Sequence, residues 1–137
     1  MNRIDFQQLA ELRLKEARAL LAAGFPEGAY YLAGYAVECA LKACISRRTR
    51  EHDFPDKKLA NDSHMHDLKE LVRLALLKSE LETAVQVDAV LDTNWTIVQD
   101  WSENSRYQRK TAQEAASLLL AVEDQTGGLF PWVRQRW

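Results

Sequence analysis

Apolar residues recur along this chain at close to a helical period. Phe6, Leu9, Leu12, Ala17, Leu20 and Leu21 predict a first helix over about residues 5–23, with Gly24 as its stop. Pro26 suits the first turn of a second helix, which the pattern carries to about residue 47. Residues 48–65 read as a long polar loop. A third helix begins near His66-Asp67 and uses Leu68, Leu71, Val72, Ala75 and Leu76. Ser79-Glu-Leu-Glu82 reads as a capping box for a fourth helix, carrying Leu81, Val85, Ala89, Val90, Trp95 and Val98 toward Trp101. Thr111-Ala-Gln-Glu114 opens a fifth, which Gly127-Gly128 ends. Short connections make neighbouring helices antiparallel, so the expected fold is all-α, an up-and-down bundle of four to five helices. The bundle spans residues 1–126. The aromatic tail 127–137, with Trp132 and Trp137, is expected to pack on it or on a partner subunit.

The second helix stands apart from the rest. Ala29, Ala33, Gly34, Ala36, Ala40, Ala43 and Cys44 are small enough for another helix to approach closely. Along one face run Tyr31, Tyr35, Glu38 and Lys42, at i, i+4, i+7 and i+11. A mostly apolar helix with such a polar seam is the core helix of a small bundle.

Composition changes this picture little. Few glycines and prolines among many helix formers agree with it. The formal net charge of −2 excludes nucleic-acid binding by bulk electrostatics, so any RNA contact must be local. Cys39 and Cys44 sit i, i+5 on one helix, about 140° apart, and cannot pair there. Free thiols in a core helix suit a cytoplasmic protein, and no run reaches membrane-spanning length.

Three islands of sequence carry a family resemblance: Tyr31-Leu-Ala-Gly-Tyr-Ala-Val-Glu38 with Ala40-Leu-Lys42; His66-Asp67-Leu68 with Leu71, after Phe54-Pro55; and Trp101 followed by Ser105-Arg106-Tyr107 and an alanine-rich helix. In this order and spacing the chain resembles the HEPN family (higher eukaryotes and prokaryotes nucleotide-binding). The resemblance implies a helical bundle, a homodimer with a cleft between subunits, and a nucleotide, RNA or protein as ligand. Many members are metal-independent endoribonucleases using an Arg-x(4–6)-His motif late in the domain. Some of these are toxins whose partner is a nucleotidyltransferase antitoxin, and others are binding modules without the motif.

This chain lacks the late histidine. Counting forward from Arg106, its place falls on Thr111, Ala112 or Gln113. The one formal match, Arg47-x4-His52, leaves the second helix for the loop. The expected function is therefore a dimeric binding module. A ribonuclease toxin and a purely structural interaction protein remain as alternatives.

The resemblance points to Arg106 and Tyr107 as the candidate catalytic pair; Tyr31, Tyr35, Glu38 and Lys42, a polar seam on a mostly apolar helix, and Arg109, in the basic cluster after Tyr107, are candidate ligand contacts. A guanidinium holds a phosphate with two parallel hydrogen bonds, and a tyrosine adds a third or stacks on a base. In the competing structural reading, Arg106 pairs with a buried carboxylate such as Glu38 and Tyr107 merely packs. His64-Met-His66-Asp67 lacks a third ligand and the geometry of a metal site, so capping and a surface role are expected there. The basic run Arg47, Arg48, Arg50 with Lys57-Lys58 is interleaved with acids and reads as solvated surface. No phosphate-loop motif is present, and no cofactor is implied.

Overall fold

In the computed structural model, residues 1–51, 61–62 and 64–137 are described, and among them the chain is helical throughout, with no strand. The helices delimited among the described residues are, in order, α1 Arg3–Ala22, α2 Pro26–Glu51, α3 Leu68–Leu74, α4 Lys78–Val87, α5 Ala89–Val98, the 3-10 helix Glu103–Tyr107, α6 Ala112–Glu123 and α7 Leu129–Arg134. The protein is an all-α helical bundle. No described helix is long and apolar enough to cross a membrane.

The central element is α2, which packs against α1, α3, α6, α7 and the 3-10 helix. Its small residues explain how one helix touches so many others. Ala29, Ala33, Ala36, Ala40 and Ala43 are all fully buried, so neighbouring backbones come close. α1 opens with a capping box, in which Asn2 and Asp5 satisfy each other's backbone donors. Gly24 ends the hairpin turn with φ of +87°, a left-handed conformation open to glycine. The three residues after α1 turn the chain straight into Pro26, the first residue of α2.

Three sequence expectations are corrected. α2 does not stop at residue 47 but runs to Glu51, taking Arg48 and Arg50 out of the expected loop. Arg48 has a reason to be helical, because its guanidinium donates to the Leu74 carbonyl at 2.8 Å and covers the C-terminus of α3. The expected fourth helix is two helices broken at Asp88, whose extended backbone (φ −125°, ψ 98°) ends α4. The Asp88 carboxylate accepts from the amides of Val90 and Leu91 and starts α5. Ser79 is inside α4 rather than at its cap, and its carbonyl accepts from Thr83. Residues 52–60 and 63, which include His52, Phe54-Pro55 and Lys57-Lys58, lie outside the described residues.

The segment after Gly128 forms α7, burying Leu129, Phe130 and Val133 against the bundle. Trp137 meets Phe130 edge to face at 5.7 Å, and its carbonyl accepts from Arg3 at 2.6 Å. Arg134 pairs with Glu11 of α1 and Arg136 with Glu80 of α4. Arg136 also lies 3.8 Å above the Trp132 ring.

Candidate functional site

On an alanine-rich helix, a glutamate that faces inward must find compensation. Glu38 is 1% exposed, and it finds two partners. Lys42, one turn on, donates to Oε2 at 3.2 Å, and the imidazole Nδ1 of His66 lies 3.0 Å from Oε1. The other ring nitrogen of His66 faces Oε2 of Glu103 at 3.1 Å. Glu38 of α2, His66 before α3 and Glu103 of the 3-10 helix are thus joined through one imidazole. Asp67, next in sequence, is the N-cap of α3 and accepts from the Glu70 amide.

Beside this cluster runs an aromatic stack. Tyr35 and Tyr31 are one turn apart on α2 with ring centroids 5.9 Å apart, and Trp101 continues the stack at 6.0 Å from Tyr31. The Trp101 indole lies on Gly34, where a Cβ would overlap the ring. Gly34 therefore makes room for a tryptophan from a distant segment rather than for a neighbouring helix. Burial pushes the Tyr35 phenol up to about 12, with Cys39 and Glu38 adding to the effect. Burial does the same to Cys39, also raised to about 12. Cys44, under α7, is raised to about 12 by the same cause. Both thiols are free and neutral at physiological pH.

The 3-10 helix carries Arg106 and Tyr107 to the edge of this stack. The guanidinium of Arg106 sits 4.9 Å above the Tyr107 ring. The charge interaction with Tyr107, followed by hydrogen bonding to Tyr107 and Tyr31, holds the Arg106 pKa above its ordinary value. Tyr107 itself is 78% exposed. No described carboxylate pairs with Arg106, so the expected Arg106–Glu38 pair is corrected: Glu38 belongs to Lys42 and His66. Arg109, 98% exposed, pairs with Glu27 at 3.5 Å, while Lys110 lies over Tyr30 at 4.3 Å. These two cations lean toward the start of α2.

The structure gathers Tyr31, Tyr35, Glu38, Lys42, Arg106 and Tyr107 along one side of α2. It adds two residues that sequence reasoning did not assign to the site, Glu103 and His66. The capping role expected of His66 falls to Asp67 alone. A usable signal for His66 did exist: a glutamate committed to an apolar helix needs a cationic or donor partner, and few histidines are available. Trp101 Nε1 and Ser105 Oγ, both buried, find no hydrogen-bond partner among the described residues. An open groove of about 680 Å³ runs past His66, Trp101 and Glu103. Among the described residues, no group of three His, Cys, Asp or Glu side chains is placed to hold a metal ion.

Compared with known proteins, the chain matches no family model, no curated protein and no solved structure.

Proposed function

We propose that this chain is a HEPN-like module that binds a nucleotide or RNA on the face formed by Tyr31, Arg106 and Tyr107. One observation carries the reading: Arg106 is exposed, lies over the Tyr107 ring and pairs with no carboxylate among the described residues. A structural arginine on a protein this rich in acids is expected to meet a carboxylate, as Arg134 and Arg136 do. An arginine braced by tyrosines keeps its fork of donors for an incoming phosphate, and the adjacent ring offers a base a surface to stack on. The homodimer implied by the family resemblance belongs to the same reading, and light scattering of the purified protein tests it.

The test is titration of a labelled oligoribonucleotide and of ATP, followed by fluorescence anisotropy or calorimetry, with the protein and its Arg106→Ala variant. The expected result is saturable binding that weakens about tenfold or more in the variant, since a charge-assisted phosphate contact contributes about 1.5–3 kcal/mol. Equal binding by both proteins, or none, overturns the reading.

A second reading, a metal-independent endoribonuclease of the toxin class, is favoured by one specific observation. No histidine follows Arg106 in sequence, but His66 contacts Glu103, which belongs to the same 3-10 helix as Arg106. Cleavage of the oligonucleotide in the presence of chelator, lost in Arg106→Ala and His66→Ala, would select this reading. Intact RNA in all lanes would remove it.

A further inference from the structure

His66 has a carboxylate oxygen opposite each ring nitrogen, Glu38 Oε1 at 3.0 Å and Glu103 Oε2 at 3.1 Å. A neutral imidazole has one N–H and one lone pair, so it satisfies only one carboxylate and turns a lone pair on the other. Lys42 already donates to Glu38 Oε2, which leaves Oε1 as the acceptor facing the ring. With both carboxylates ionised, this geometry is satisfied on both sides only when Nδ1 and Nε2 each carry an N–H group. This is the imidazolium, the form histidines exchange with the neutral ring near physiological pH.

We propose that His66 is a protonation-dependent clamp, which as the imidazolium ties the 3-10 helix Glu103–Tyr107 to α2 and on losing a proton lets Glu103 go. The order of release follows from burial. Glu38 is 1% exposed and would be left without its imidazole donor in a place water does not reach, so Nδ1–H stays. Glu103 has 37% of its side chain exposed and can exchange an imidazole for water. The proton leaves from Nε2 to solvent, and Nε2 then presents a lone pair to a carboxylate. Contact gives way to repulsion, and the helix carrying Arg106 and Tyr107 loses its ionic tether. The sign is definite: the tether is present on the acid side and disappears as pH rises.

Every packed element presents charge to this ring. α2 offers Glu38 and, through it, Lys42, and the 3-10 helix offers Glu103. The adjoining groove is lined by Asp67, Lys69 and Glu70 near the start of α3 and by Asp100 after α5. Asp67 is engaged as a cap and Glu70 with Arg73. The residues directly joined to the ring are Glu38 and Glu103.

The experiment is done on the whole protein labelled with ¹⁵N. Ring nitrogen shifts of His66 and exchange rates of the Ser105 and Gln108 amides are followed over about pH 5 to 9, the range that brackets histidine titration. These amides report the turn because they donate to the Ser102 and Ser105 carbonyls. Corrected for the intrinsic pH dependence of exchange, their protection should fall about tenfold or more as His66 loses its Nε2 proton. In Glu103→Gln the side chain can both accept from and donate to Nε2, so protection should no longer follow the ring. Protection that stays constant through the His66 titration overturns the clamp, as does a neutral ring that keeps its proton on Nε2. So does a Glu103→Gln profile that matches the parent's. The clamp stands or falls independently of what the Arg106 face binds.

Discussion

Two segments of this protein mix arginine with large aromatics, and they use the mixture differently. In 129–137, Arg134 reaches Glu11, Arg136 reaches Glu80 and stacks on Trp132, and the Trp137 carbonyl takes the Arg3 donor. Three of these interactions, to Glu11, Glu80 and Arg3, tie the segment to elements far away in sequence. In 101–107, Trp101 is buried on Gly34, whereas Arg106 and Tyr107 are left at the surface against each other, with no carboxylate partner for Arg106 among the described residues. Like composition thus serves closure in one place and presentation in the other. Arginine is informative about function by the partner it lacks.

The comparison is broken most readily by removing one residue from each side. Phe130→Ala empties a buried ring site under Trp137 and should cost about 3–5 kcal/mol in urea unfolding. Arg106→Ala should change stability by less than about 0.5 kcal/mol while weakening ligand binding about tenfold or more. A destabilisation by Arg106→Ala comparable to that of Phe130→Ala would make the two segments alike and sink the distinction.

Next in size is an alkaline effect shared by both regions, because Cys39 lies under the tyrosine stack and Cys44 under α7. Each thiol moves from its ordinary 9.0 to about 12 on burial. The unfolded chain releases these protons first, so the stability they contribute is intact below about pH 9 and is lost progressively toward pH 12. Denaturant midpoints should fall across that window, and less so in a Cys39→Ala, Cys44→Ala protein. At pH 8 neither thiol should react with a thiol reagent faster than the protein opens.

Gly34→Ala sharpens the contrast at smaller scale. A methyl group there must displace the indole, at a cost of about 1–3 kcal/mol and with a red shift of tryptophan emission. An unshifted spectrum would mean that the aromatic stack is not held by this contact. Smallest of all, Ser105→Ala removes a buried hydroxyl that has no partner among the described residues. It should leave stability unchanged or raise it by up to about 1 kcal/mol, read as a higher Tm.

What was legible in the sequence was local. The alanine-rich burial of α2, the Thr111–Glu114 capping box and the Gly24 turn followed from spacing and cap chemistry acting within a few residues. The break at Asp88 was missed because the apolar spacing continues through it, although an aspartate in mid-helix is a capping residue by preference. The stripe of Tyr31, Tyr35, Glu38 and Lys42 was legible as a stripe. Its partners were not, because His66, Trp101 and Glu103 reach it through tertiary packing that no helical period encodes. Arg106 was singled out by resemblance, but its partners were misassigned, since chemistry made Glu38 the nearest sensible carboxylate and topology gave Glu38 to Lys42 and His66.

The Gly34–Trp101 contact also bears on how the chain reaches its native state. α1 and α2 are joined by a short turn and pack along each other, so their contacts close small loops and form early. Seating Trp101 on Gly34 and Glu103 on His66 closes far larger loops and must wait for the intervening helices. The tyrosine–arginine face is accordingly expected to assemble after the α1–α2 hairpin, on a scaffold already in place. Pulse-labelled hydrogen exchange during refolding should show α2 amides protected before those of Ser105 and Gln108. Simultaneous protection would mean that hairpin and face form as one unit.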